Sequence, residues 1–401
     1  MEPATAPEHF IPLARSELVD FLCADRSLTE SERALFRELC EQIAAVYHLE
    51  YHRRLTELKQ AYLPFDPDRD TTPLVPLTAE QRQHRLNELL SDLGWLLERA
   101  GFKHLSRGEI EPALDHPSDW GVRVNVDFSA FEHVAIFARG ATVQTRNLRR
   151  LRNFYRPKEV EVPIYRRLVI VLKLRPHPRL GGPIDTDNVH LKIFKDIPQL
   201  DVVMLLPGAR VQMSKLDRGR IGLPLLSGLA LAAWNVLQDL AVMLERTLSS
   251  PSAMWALAVG GIGYGYKSFH GYLQTRQRYH LTLTRSLYFQ NLDSNAGVLM
   301  RLLDEAEEQE CRPAILAYWC LWRYAGADGW TAADLDASVE LYLDRYADLA
   351  LRCRSNAALT QLKKLHLVEG DGERFRALTP SRAIEALQSR GQGSGVRGQD
   401  V

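Results

Sequence analysis

The chain has 401 residues, 46% apolar and 25% charged, enough for two or three domains with cores of their own. Basic and acidic residues balance at 50 each, so net charge exerts no general pull toward polyanions. Five cysteines (Cys23, Cys40, Cys311, Cys320, Cys353), an odd number with no Cys-x-x-Cys pair, argue for reduced thiols in a cytosol-like compartment rather than a disulfide framework.

The first residues, MEPATAPEHFIPLA, carry no basic n-region and no apolar h-region, so no signal peptide is expected. Residues 1–63 read as a helical N-terminal region. Leu18, Val19, Phe21 and Leu22 form one apolar stripe. Leu35, Leu39, Ile43, Val46 and Tyr47, then Leu55 and Leu58, form a second at helical spacing. Ser27 to Glu30 and Thr29 to Glu32 both fit a capping box before the second helix. Pro64, Pro67, Pro73 and Pro76 make residues 64–78 a linker, and a helix is expected from Thr78 to Ala100, ended by Gly101.

Residues 79–212 combine that helix with an antiparallel sheet of about five strands. The expected strands are Val122–Val126, Val134–Phe137, Val160–Leu174, Val189–Phe194 and Val202–Leu206, each a β-branched or apolar run bounded by Pro or Gly. Two uncharged stretches follow, Ile221–Gln238 and Thr247–Tyr266, with only Asp239, Glu245 and Arg246 charged between them. Each approaches the twenty or so apolar residues of a spanning helix. Lys215, Arg218 and Arg220 precede them and Lys267, Arg276 and Arg278 follow. This predicts a two-helix membrane hairpin over 213–280 with both termini cytoplasmic. A buried hairpin in a soluble core is the alternative.

Residues 281–387 read as a C-terminal domain. Helix is expected over Leu281–Tyr324, a capping box at Thr331 to Asp334, a helix near Asn356–His366, and two strands around Asp371-Gly372. Helix, helix, hairpin is a winged-helix-like order. The Gly- and Ser-rich tail 388–401 is expected to be disordered. The fold class is thus α+β, of bacterial type: helical N-terminal region, antiparallel sheet, helical membrane hairpin and winged-helix-like C-terminal module.

Leu191-Lys-Ile-Phe-Lys-Asp-Ile-Pro198, with Asp201 and Met204-Leu-Leu-Pro207, resembles the signature of the family named domain of unknown function 3754, whose better-known eukaryotic relative is transmembrane protein 143. Tyr288–Val298, Leu303–Glu310 and Ala317-Tyr318 resemble it too, as do Phe10-Ile-Pro12, Phe65–Thr71 and Leu367-Val-Glu369. The motif positions singled out are Phe194, Lys195, Asp196, Ile197, Pro198, Asn291, Asn295, Glu307, Glu308 and Glu310. The resemblance implies a membrane protein with a helical hairpin between two soluble parts. It implies no activity and no catalytic residues. The hairpin here is more polar than the family leads one to expect, with Asn235, Gln238 and Asp239.

Arg139–Arg175 holds eleven Lys or Arg against only Glu159 and Glu161. Arg146, Arg149, Arg150, Arg152, Arg156 and Lys158 surround Phe154 and Tyr155. Beside a membrane, such a patch attracts anionic headgroups. Nucleic-acid binding and a loop paired with an acidic helix are the rival readings.

Asp304–Glu310 puts five carboxylates in seven residues. Di-iron bundles require Glu-x-x-His, which the chain lacks, so these acids read as a salt-bridged face or, in an enzyme, a metal site. Asp66, Asp68 and Asp70 lack the Gly and Glu of a calcium loop. His48 and His52 flank Glu50 in an order that is not the zinc protease His-Glu-x-x-His. Gly260–Ser268 misplaces the lysine of a phosphate loop.

No cofactor or metal is therefore expected. The reading is a membrane-attached, non-enzymatic interaction or scaffold protein. Its partners would be a lipid membrane, anionic headgroups or another protein rather than nucleic acid. A membrane-bound metal-dependent enzyme using residues 304–310, or a nucleic-acid-binding protein, is the alternative.

Overall fold

A computed structural model of the chain describes residues 11–72, 76–110, 123–149, 157–180, 185–212, 289–347, 355–370 and 373–395. The expected membrane hairpin, the Gly260–Ser268 stretch and Arg150, Arg152 and Arg156 lie outside them. Among the described residues, no helix is long and apolar enough to cross a membrane.

Three helices open the chain: α1 (Arg15–Cys23), α2 (Glu30–Tyr62) and α3 (Ala79–Arg99). Thr29 caps α2 and exchanges hydrogen bonds with Glu32, as the capping box predicts. Ser27 does not cap, because its hydroxyl turns back to Asp25. Thr78 caps α3, and Gly101 ends it at φ +78°.

A five-stranded antiparallel sheet follows, giving an α+β fold. Its order is β1 (Lys103–His104), β3 (Phe131–Arg149), β4 (Pro157–Leu174), β5 (Val189–Pro198) and β7 (Asn291–Ser294). Two expected strands are absent from it. The alternating Val122–Val126 segment gives β2 (Arg123–Asn125), which pairs with β6 (Arg210–Gln212) in a separate sheet. Val202–Leu206 is not a strand; a 3-10 helix covers Gln199–Leu205. Val202, Val203 and Leu206 are all buried, a helical rather than an alternating pattern. In place of these two come β1 and β7, both too short for a period-two signal.

Both faces of the sheet are covered. Along β4, Leu168, Ile170 and Leu172 pack on the 3-10 side, while Val169 and Val171 join the helical core. This explains the unbroken apolar run of that strand. The helical core extends from Ile11 to Leu387 and takes in α1, α2 and α3.

The C-terminal part begins with α4 (Ala296–Tyr324), whose fully buried Trp319 and Tyr318 lie at the centre. Helix was expected over Leu281–Tyr324; residues 281–288 lie outside the described residues, Phe289 and Gln290 are helical, but Asn291–Ser294 is β7 and α4 starts only after Asn295. Next come α5 (Ala332–Ala347), α6 (Asn356–Lys364), β8 (Val368–Gly370), β9 (Phe375–Ala377) and α7 (Pro380–Gly395). The capping box of Thr331 and Asp334 forms. Helix α7 runs to Gly395, into the stretch expected to be disordered. Trp330 forms an antiparallel bridge with Phe375 and so lies alongside β9.

That bridge fixes Gly329. It sits at φ +65°, and a Cβ there would lie 2.9 Å from the Phe375 carbonyl oxygen. Gly329→Ala is expected to cost about 1–3 kcal/mol through strain and overpacking. Urea denaturation measures it; an unchanged midpoint would mean the bridge contributes nothing.

Candidate functional site

The acidic run of α4 is the electrostatic hub of the described structure. Its carboxylates point to different elements, since successive helix positions fan out by a turn's rotation. Glu305 takes Arg139 of β3 at 2.5 Å and Arg167 of β4 at 3.9 Å. Glu307 meets Arg15 of α1 at 3.8 Å and His48 of α2 at 3.1 Å. Glu308 meets Arg15 at 3.5 Å and Arg312 at 3.0 Å. Glu310 pairs with Arg99 of α3. The salt-bridged reading of this run therefore describes four of its carboxylates, and the basic stretch Arg139–Arg175 contributes two of the partners. A metal at 304–310 would have to displace guanidinium groups. Among the described residues, no three His, Cys, Asp or Glu side chains converge as metal ligands.

Arg139 is the most enclosed of these cations. Burial lowers its pKa, and Glu305 opposes that shift. It also donates to the Ala100 carbonyl at 2.5 Å and stacks on Phe102 at 4.7 Å.

A cleft of about 730 Å³ opens between α1, α2 and α4. Val19, Cys40 and Ala44 form apolar wall, while Arg15, Arg37 and Glu308 supply charge. Arg37 is already held by Asp20 at 2.7 Å. Cys40, and Cys311 of α4, are poor nucleophiles: burial pushes the Cys311 thiol up to about 12 and the Cys40 thiol well above its ordinary value. Beside them Ile11 is buried, its carbonyl accepting from Arg312 at 2.9 Å. The cleft is thus an ion-paired seam whose lining thiol, Cys40, is held protonated by burial.

The motif residues of β5 and β7, with Asn295 before α4, form a latch. Phe194 and Ile197, three apart, would face opposite sides of a regular strand. Asp196 between them stands at φ +52°, and both fall in the same buried cluster. Lys195 is exposed opposite Arg167, and Pro198, without an N–H, ends β5. Asn291 pairs with Phe194 across the ladder. Asn295, buried at φ +50°, accepts from Leu191 N–H at 3.2 Å and donates to Asp68 at 2.6 Å. Asp68 belongs to the Asp66–Asp70 turn, where Asp66 accepts from the Asp68 N–H at 3.0 Å. So that turn closes on Asn295.

The described members of the basic patch, Arg146, Arg149 and Lys158, lie on a ribbon. Strand β5 leaves β4 at Ile164↔Pro198. Beyond that point β3 and β4 continue together from Val143↔Pro163 to Arg149↔Pro157, with no third strand among the described residues. Those pairs span roughly 20 Å. Arg146 (opposite Val160), Arg149 and Lys158 (opposite Leu148) lie at its far end. Arg150, Arg152 and Arg156 follow β3 in the sequence and lie outside the described residues.

The sheet and its latch are also what a comparison picks out. Residues 131–297 match the model of a family described as a protein of unknown function, DUF3754. The match runs from the first residue of β3 to the second residue of α4 and so ends just past Asn295. No solved structure matches the chain.

Sequence reasoning missed Arg139 and the His48–Glu307 contact. Arg139 looked like one more member of a basic run. Its one distinguishing signal is Gly140 at φ +76°, which no sequence period reveals.

Proposed function

We propose that the protein is a non-enzymatic, membrane-attached interaction or scaffold protein, similar to transmembrane protein 143. On this reading the segment 221–266 is its anchor, both termini are cytoplasmic, and Arg146, Arg149, Arg150, Arg152, Arg156 and Lys158 meet anionic headgroups. One observation carries the reading. The chain returns from residues 213–288 at the same end of the sheet from which the basic ribbon extends. Strand β7 runs antiparallel to β5, with Asn291 opposite Phe194 and Ser294 opposite Lys192. The residues before it therefore lie toward Pro198, and Gln290 donates to the Asp196 carbonyl at 2.9 Å. Ile197 pairs with Tyr165, at the base of the ribbon. A chain that re-enters the sheet after an uncharged segment at the same end as a ribbon carrying Arg146, Arg149 and Lys158 suits attachment to a bilayer with an anionic surface.

The bridge from Trp330 to β9, after α4 and before α5 and α6, supports a winged-helix-like C-terminal module. Its lysines favour protein contact over nucleic acid. Lys363 lies over the Phe375 ring at 4.2 Å, and Lys364 reaches Glu50 at 3.4 Å.

The test is co-sedimentation of the full chain with phosphatidylserine-containing and purely zwitterionic vesicles. Each basic residue near an anionic surface contributes about 1 kcal/mol. The triple variant Arg146→Gln, Arg149→Gln, Lys158→Gln should thus bind anionic vesicles roughly 100-fold more weakly at low salt, with zwitterionic binding unchanged. Equal binding by variant and parent would sink the lipid reading. Carbonate extraction of the parent and of a variant lacking residues 221–266 tests the anchor separately.

A further inference from the structure

Helix α2 carries His48 and His52 four residues apart, so both rings rise from one face of the helix. The ring centroids are 6.1 Å apart. Both side chains are exposed, His48 to 70%. What sets this pair apart from two surface histidines is Glu307, which is only 10% exposed. Its Oε2 lies 3.1 Å from His48 Nδ1. A carboxylate only accepts, so Nδ1 carries the proton of this bond. In the neutral ring the lone pair is then on Nε2, the atom facing away from Glu307. A buried carboxylate that orients an imidazole is the arrangement found behind metal-ligating histidines. Arg15 adds a longer ion pair to the other oxygen of Glu307, at 3.8 Å.

We propose that His48 and His52 form a chelating pair for a borderline divalent transition-metal ion such as Zn²⁺ or Ni²⁺, with Glu307 as the positioning residue behind His48. Two nitrogens from one helix turn satisfy half of a tetrahedral shell. The remaining positions stay open to water or to a donor from another molecule. Glu307 acts here as the positioning residue and not as a ligand, its Oε2 being taken by the His48 Nδ1–H at 3.1 Å. Imidazole nitrogen suits Zn²⁺, Ni²⁺ and Cu²⁺ and excludes Mg²⁺ and Ca²⁺, which take oxygen donors.

The experiment is calorimetric titration of untagged, chelator-stripped full-length protein with Zn²⁺, repeated with Ni²⁺ and with Mg²⁺. The expected result is one Zn²⁺ and one Ni²⁺ per chain and no heat from Mg²⁺. His52→Ala, an exposed position that leaves the fold intact, should remove that uptake. Glu307→Gln should weaken it about 10- to 100-fold, the usual effect of losing an orienting partner. Its far-ultraviolet circular dichroism separates that loss from unfolding. Uptake by His52→Ala equal to the parent's would place the ion elsewhere and overturn the proposal. So would no uptake by the parent at millimolar metal.

Discussion

Arg139→Ala is expected to lower the free energy of unfolding by about 3–5 kcal/mol, the range for removing one partner of a buried ion pair. The side chain is 7% exposed and its partner Glu305 19%. Three things go at once: the pair with Glu305, the hydrogen bond to the Ala100 carbonyl, and the stack on Phe102. Glu305 is then left largely enclosed with Arg167 at 3.9 Å as a weaker partner. Glu305→Ala should cost a similar amount for the converse reason, because a guanidinium buried against Phe102 loses its counter-charge. The two losses should not add. Once one partner is gone, removing the second relieves a stranded charge. Replacing both, as Arg139→Met with Glu305→Leu, should recover most of the loss, since apolar groups of similar volume need no counter-charge. Urea denaturation of the four proteins checks this. Single losses below about 1 kcal/mol would show the pair to be solvated like a surface bridge.

The contrast with the exposed ion pairs is instructive. Arg33–Glu30 and Arg53–Glu57 sit one helix turn apart in water, and each contributes about 0.3–0.5 kcal/mol at most. The same charges closing Glu305 onto β3 matter more because they fix where the sheet meets α4. This also explains how the acidic run reads from sequence. Five carboxylates in seven residues look like a solvated face or a metal site. Only the fold shows that they reach separate helices and strands.

Much of the helical layer was legible because its signals are local. Capping at Thr29 and Thr78, the stripe from Leu35 to Leu58 and the stop at Gly101 each follow from a few neighbouring residues. The long strands were legible because β4 is buried on both faces and leaves an unbroken apolar run. Strands β1 and β7 were not, since two and four residues carry no usable period, and pairing partners far along the chain decide their state. Val202–Leu206 failed for a related reason: β-branched residues favour strands only where a ladder awaits them. The candidate metal pair was half legible. His48 and His52 are visible in sequence, but Glu307 stands 259 residues from His48 and only the packing of α4 on α2 joins them.

Asn295→Ala is expected to cost about 3–5 kcal/mol, by two separable routes. The first is polar. Its amide donates to the Asp68 carboxylate at 2.6 Å and accepts from Leu191 N–H at 3.2 Å. A hydrogen bond to a charged partner contributes about 1.5–3 kcal/mol, and a buried N–H left without an acceptor costs about 1–3 kcal/mol. The second is conformational. Asn295 stands at φ +50° and ψ −122°, a region that only glycine enters freely. Alanine keeps that strain and loses the compensation. Asn295→Gly loses the same two hydrogen bonds without the strain, so it should be about 1–2 kcal/mol more stable than the alanine variant. Asn295→Asp tests the Asp68 contact by charge. It sets two carboxylates together, and a like charge raises their folded-state pKa above the unfolded value near 3.9. The protonated form is then favoured in the fold. The deficit of this variant should be largest at neutral pH and shrink as pH falls through that raised pKa. Urea midpoints at pH 7 and at about pH 4.5 measure it, above the unfolded carboxylate's titration. A glycine variant no more stable than the alanine one would remove strain from the account. A pH-independent Asn295→Asp deficit would remove the Asp68 contact. If both hold, the latch that ties β5, β7 and the start of α4 to the Asp66–Asp70 turn is made by one amide in a conformation that its two hydrogen bonds maintain.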